Sequence, residues 1–215
     1  MPRQPLCAHL AASLVLLVSH GFIGAEEREA GGPVFVFETG TPAWAGERIP
    51  LPPRFAPDLG WTGVEEIRFA PGMFEAGEPG FFSYVLVFLL QPGDDVGREA
   101  LARELLTYYR GLSAAVMEGR GLTVDTSPFT IQVEEPGDAV LESPATAPDA
   151  TAWRASLTWI EPFATQEQQV LHFELHTWEE KGRPVVLSCA SPADPSATGG
   201  PWKDLRRIRS TFRFE

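Results

Sequence analysis

The chain has one stretch with metal-ligand residue types, His172-Phe173-Glu174-Leu175-His176, and one basic cluster, Lys203, Arg206, Arg207, Arg209 and Arg213 within residues 201–215. The first is not the zinc-protease helix signature, which needs Glu directly after the first His. Its apolar residues Leu171, Phe173 and Leu175 alternate with polar ones, so it reads as a strand. On a strand His172 and His176 stand roughly 13 Å apart, too far to share one ion. A metal site there would need Glu174 with one His and a ligand from a neighbouring strand, such as Glu161 or Glu179. The plainer reading is a solvated polar sheet face. The basic cluster is net positive in an otherwise acidic chain, and it reads either as charge that stabilises a helix C-terminus or as a patch that docks an acidic partner.

Other routes to chemistry are poorly supplied. Neither a Gly-x-Ser-x-Gly elbow nor a Walker A sequence occurs, and Ser113 sits within a helical pattern rather than on an exposed turn. Cys189 alternates in phase with Val185 and Leu187, which reads as a buried, inert thiol turned away from the two histidines. The acid pairs Glu65-Glu66, Asp94-Asp95, Glu134-Glu135 and Glu179-Glu180 read as solvated charge at turns and strand ends. Trp44, Trp61 and Phe74 lie in a Pro/Gly-rich region and are expected on a partner surface or as an aromatic lid over the core. No cofactor is expected.

Across 215 residues, 17 Lys+Arg face 29 Asp+Glu for a formal net charge of -12, which argues against general attraction to nucleic acid or anionic lipid. Arg3 precedes an apolar run from Leu10 to Val18 that is too short to span a bilayer, and Phe22-Ile23-Gly24-Ala25 ends in small residues. Residues 1–25 are therefore expected to be a signal peptide cleaved after Ala25, placing the chain in the periplasm or outside the cell without a stable membrane anchor. Cys189 is then the only cysteine, so no intramolecular disulfide can form.

The elements that must position these residues follow from periodicity. Val34–Phe37, Val64–Phe69, Phe81–Leu90 and Phe129–Val133 read as strands, and the second half as a meander from Trp153 to Ala190 with a tight turn at Lys181-Gly182. Both alternating sets of Phe81–Leu90 are mostly apolar, so that strand must be covered on both faces. Ile49-Pro50-Leu51-Pro52-Pro53-Arg54-Phe55 carries three prolines and can run only along an edge. A helix is expected from about Gly97 to Glu118, with Asp94 and Asp95 available as caps. Glu135 to Ala150 reads as a Pro/Ala-rich surface loop. Pro201 opens a short helix bearing Trp202, Leu205 and Ile208, and Phe212 and Phe214 are expected to add a final strand to the main sheet. The expected fold is α+β: one domain over 26–215, an antiparallel sheet of about six to eight strands, one long helix and a short C-terminal helix.

The Ile-Pro-Leu-Pro segment at 49–52, the central helix, the late meander and the closing Leu205-Arg206-Arg207-Ile208-Arg209-Ser210-Thr211-Phe212 resemble the PsbP-like, DcrB-related group of exported domains. The resemblance spans most of residues 47–214. It implies an antiparallel sheet flanked by helices and a role in binding other proteins, with no catalytic residues to carry over.

The expected function is accordingly a non-enzymatic interaction domain acting on a protein partner, with Arg206, Arg207, Arg209, Trp44 and Trp61 as its contact residues. Two alternatives stand beside it. One is a metal-dependent hydrolase built on His172, Glu174 and His176; the other is a carrier of a small apolar ligand held between sheet and helix. Deleting 201–215 is expected to unfold the domain, whereas changing all three arginines to Gln is expected to leave its melting temperature within a few degrees.

Overall fold

The computed structural model describes residues 35–137, 141–197 and 199–215. The expected signal peptide lies outside the described residues. The chain divides into Met1–Pro33 and Val34–Glu215, and all described residues belong to the second unit.

A short strand β1 (Phe35–Val36) is followed by a first meander, β2 (Ala45–Leu51), β3 (Gly63–Phe69) and β4 (Tyr84–Leu90). Helix α1 (Arg98–Glu118) then carries the chain across the sheet to β5 (Thr130–Glu134). A second meander, β6 (Thr151–Ile160), β7 (Gln168–Glu180) and β8 (Arg183–Ser191), returns to the middle. The strand order is β2-β3-β4-β8-β7-β6-β5, antiparallel throughout, so β4 and β8 meet at the centre despite their distance in sequence. Helix α2 (Pro201–Thr211) and β9 (Arg213–Phe214) close the chain. The fold is therefore α+β, with a seven-stranded antiparallel sheet, one long helix and one short C-terminal helix. Among the described residues no helix is long and apolar enough to cross a membrane.

Every residue of β4 is buried, as its two apolar sets demand. Tyr84, Leu86, Phe88 and Leu90 pack beneath α1 with Leu101, Leu105, Tyr108 and Tyr109, whereas Val85, Val87 and Leu89 pack beneath α2 with Leu205, Ile208 and Phe212. The strand starts later than its apolar run. Phe82 has φ 44° and the Ser83 N–H donates to the Gly80 carbonyl at 3.1 Å, which makes Phe81–Ser83 part of a turn.

Local chemistry accounts for most boundaries. Lys181 and Gly182 have φ of 52° and 76°, the paired left-handed conformation of a two-residue hairpin between β7 and β8. Residues 49–51 of the proline-rich segment end β2 at the sheet edge, and the strand stops before Pro52, where the ladder donor is missing. Helix α1 begins after Gly97, and Asp95 Oδ1 accepts from the Gly97 N–H at 2.8 Å, so neither aspartate caps a helical amide. Gly111 lies inside α1 where a Cβ would stand 2.3 Å from the Phe55 carbonyl oxygen. Close approach of the 53–59 loop thus requires glycine in a helix that would otherwise disfavour it.

One expectation needs correction. Phe214 does not join the main sheet: β9 pairs with β1 in a separate two-stranded sheet, with Phe35 opposite Phe214 and the Phe214 ring packed on Phe212 and Trp178. The described residues of the stretch near 135–150 form no helix or strand and are mostly exposed or half-buried. Its described part docks on the C-terminal elements, with Ala147 buried and Thr146 Oγ1 donating to the Phe212 carbonyl at 3.1 Å.

Candidate functional site

The two sequence clusters prove to be one place. On β7, His172, Glu174 and His176 share the sheet face that α2 covers, and α2 brings Arg206 and Arg209 down onto Glu174. The Arg209 Nη1 donates to Glu174 Oε2 at 2.5 Å and the Arg206 Nη2 donates to Oε1 at 2.6 Å, with Arg206 Nε 3.2 Å from both oxygens. Glu174 is fully buried and Arg209 is 2% exposed. Burial alone would raise the Glu174 pKa. The hydrogen bonds and charges of the two guanidiniums outweigh it and hold the carboxyl below its usual range.

This arrangement changes the meaning of the His-Glu-His strand. Glu174 spends its acceptor sites on two arginines, and among the described residues no group of three or more His, Cys, Asp and Glu side chains is placed to hold a metal ion. His172 is half-buried, as a polar sheet face suggests, but His176 is fully buried. Burial and the Arg209 charge push its pKa down to about 4, against smaller opposing effects of the Leu141 backbone and Glu174. It is therefore neutral at pH 7. The Leu141 backbone acts weakly on the ring, and among the described residues neither ring nitrogen makes a hydrogen bond of full geometry.

Cys189 lies directly opposite Glu174 in the β7–β8 register, and so on the face of the histidines rather than the opposite one. The apolar phase expected to turn it away is real, but β8 is apolar on both faces. The Sγ–H donates to the Leu205 carbonyl at 3.4 Å, and burial pushes the thiol pKa up to about 12, so Cys189 packs as an inert hydrophobe.

The five expected docking residues separate. Arg209 and, in large part, Arg206 point into the α2–sheet interface. Trp61 is 2% exposed, its ring tilted against Phe88 at 5.3 Å between centroids and its Nε1–H donating to the Asp95 carbonyl, so it belongs to the core. Neither Trp61 nor Arg209 can contribute to a docking surface; the helical face and the apolar sheet claim them. Arg207 remains outward, and Trp44 is half-buried, one side of it packed against the α2-side core. They line one groove of about 450 Å³ together with Pro42, Pro71, Pro201 and Asp204, between the start of α2 and the 39–44 and 70–80 segments. Arg207 is anchored by the Glu38 carbonyl at 2.6 Å and by Asp204 at 3.3 Å.

Sequence reading missed the polar group beneath α1. Glu65 is fully buried and faces Ile67 and Phe88 rather than solvent. Its Oε1 accepts from the Tyr108 hydroxyl at 3.0 Å, its Oε2 has no partner among the described residues, and burial pushes its pKa up to about 8. Beside it the Tyr84 and Tyr109 hydroxyls hydrogen-bond each other. The signal was present: in Val64–Phe69 a period of two puts Glu65 on the same face as Ile67 and Phe69. Glu66, on the other face, is also mostly buried and is held by Arg48 and Arg68 at 2.5 and 2.6 Å. The pair is thus not solvated charge.

No protein-family model matches this chain, and no curated protein matches it. Among solved structures, LpqN, described as involved in cell envelope biogenesis of Mycobacterium tuberculosis, is similar with 12% sequence identity and a TM-score of 0.33. The match covers 86% of this chain and 87% of that one.

Proposed function

We propose that this is an exported domain of the PsbP-like kind that acts by binding a protein partner in the periplasm or outside the cell. The observation that carries the reading is the groove between the start of α2 and the 39–44 and 70–80 segments. It brings an aromatic anchor, Trp44, and an outward guanidinium, Arg207, together among four prolines, Pro42, Pro71, Pro79 and Pro201. Trp and Arg are the side chains most often found where binding energy concentrates, and proline lining costs little conformational entropy when a partner docks. A partner segment that lays an apolar side chain on Trp44 and a carboxylate near Arg207 fits this chemistry. The other sequence clusters are used internally: Arg206, Arg209 and Glu174 join α2 to the sheet.

The test combines address and site. N-terminal sequencing of the exported protein is expected to begin at Glu26. A photoreactive residue at position 44 is expected to give a discrete adduct in cells that Arg207→Glu removes, while the same probe at Thr130, on the far edge strand, gives none. An uncleaved cytoplasmic chain sinks the export reading. Equal labelling from both positions, or none from position 44, sinks the groove as the docking surface.

A further inference from the structure

The α2-covered face holds more cationic and N–H groups than its acceptors can satisfy. Glu174 is claimed by Arg206 and Arg209, yet Arg154 on β6 is its direct cross-strand neighbour and shares the face. Arg154 is half-buried, makes no ion pair with any described residue, and has a buried Nε without a hydrogen-bond partner. Among the described residues the Arg209 Nε is likewise without a partner, and the ring nitrogens of the fully buried His176 make no hydrogen bond of full geometry, the Leu141 backbone acting on the ring only weakly. Residues opposite one another across a strand pair are about 5 Å apart and same-face neighbours along a strand about 7 Å apart, so Arg154, Glu174 and His176 lie within reach of one small group. Each orphaned buried donor disfavours the folded state, and several on one face call for a common acceptor.

Water would satisfy the N–H groups but leave the charge uncompensated. Three arginines, Arg154, Arg206 and Arg209, share this face with one buried carboxylate, Glu174, which only the last two engage. Among the described residues, the other charged or titratable groups facing this region include the exposed Glu134 on β5, opposite Arg154, the half-buried His172 on β7 and the Cys189 thiol on β8, with the Leu141 backbone set against His176. Glu134 makes no ion pair with Arg154. We propose that the sheet face bounded by Arg154, His176 and Arg209 binds a small oxyanion, a phosphate or carboxylate group, entering from the half-open Arg154 side. Arg154 supplies the planar pair of donors suited to such a group, neutral His176 donates one N–H, and Arg209 Nε completes the cradle. This site is separate from the Trp44–Arg207 groove and stands whether or not that groove binds a partner.

The test is titration of the full chain with inorganic phosphate and, in a separate arm, with acetate, in buffer free of other oxyanions, read by calorimetry and by histidine-ring NMR. Saturable one-to-one binding of either anion, with the His176 ring resonances shifting, is expected. The arm that saturates identifies the oxyanion. Arg154→Gln, a half-buried position where the fold should tolerate change, is expected to weaken that binding at least about tenfold with an unchanged melting transition, and Arg207→Gln to leave it intact. The proposal is overturned if His176 stays unmoved by both anions up to about 50 mM, where even a millimolar site is nearly full. It is also overturned if R154Q binds as the parent does, or if chloride at equal ionic strength reproduces the shifts.

Discussion

Glu65 and Glu174 sit on opposite faces of one sheet, both fully buried, and their environments drive them to opposite charge states. Beneath α1, Glu65 has one tyrosine hydroxyl and a surrounding of Ile67, Phe88 and aromatic rings, with Glu47 as its other charged influence. Desolvation dominates, and the carboxyl keeps its proton near neutral pH. Beneath α2, Glu174 meets two guanidiniums in hydrogen-bonding geometry, and it stays ionised. Burial therefore does not determine protonation; the partner delivered by the covering helix does. The difference also sets mechanical roles: α1 is held by apolar and aromatic packing, whereas α2 adds a charged clasp to its apolar stripe.

The largest test removes the clasp together with its helix. Deleting residues 201–215 takes away the buried Trp202, Leu205, Ile208 and Phe212 and uncovers Val85, Val87 and Leu187. Each large side chain contributes roughly 1.5–3 kcal/mol, so the sum rivals a whole-domain stability of about 5–15 kcal/mol. The truncated chain is expected to be unfolded by circular dichroism. A cooperative melt would show that the α1 side of the sheet stands alone.

Next in size is the clasp itself. Arg209→Met leaves Glu174 buried with half its compensation and is expected to cost about 3–5 kcal/mol in urea unfolding. Arg206, half-exposed and able to follow the carboxylate, is expected to cost less when changed to Gln. This revises the expectation that all three arginines can be replaced with little change in melting temperature: Arg209 anchors the helix, and Arg207 does not. If R209M and R207Q destabilise equally, the clasp is not what distinguishes the two faces.

The two glutamates should also oppose one another along the pH axis. Glu65 has a folded pKa raised to about 8 from 4.5, so its share of stability is full below pH 4.5 and is lost as pH rises toward 8. Glu174 has a lowered folded pKa, so its share is present above pH 4.5 and is lost as pH falls through the folded value. Glu65→Gln keeps an acceptor for Tyr108 without the charge. Its melting temperature is expected to exceed the parent's by several degrees at pH 8, with the gain vanishing below about pH 4.5. An equal gain at both pH values would mean that packing, rather than ionisation, separates Gln from Glu there.

The smallest expected effect is at the groove. Arg207→Gln removes exposed contacts to the Glu38 and Thr39 carbonyls and is expected to shift stability by no more than about 0.5 kcal/mol in the same urea assay. A loss comparable with R209M would make Arg207 a structural strap instead of a binding residue.

Much of this molecule is determined by sequence because its signals are local. Alternation marks β3, β6 and β7, continuous apolar runs mark β4 and β8, the two apolar sets of β4 require cover on both faces, prolines hold 49–51 to an edge, and Lys181-Gly182 sets a hairpin. Alternation likewise fixes which neighbours along one strand share a face, and it could have placed Glu65 in the core with Ile67. What it cannot fix is pairing between distant strands. That Cys189 stands opposite Glu174, that Arg154 lies across from the same carboxylate, and that Phe214 meets Phe35 instead of the main sheet are facts of register. The same holds for the two clusters that looked like separate motifs. His-Glu-His at 172–176 and the arginines at 206–209 read as a metal strand and a docking patch until α2 folds onto β8 and β4 and joins them. An ion pair across 35 residues is set by how two elements pack, and no local pattern in either element encodes that distance.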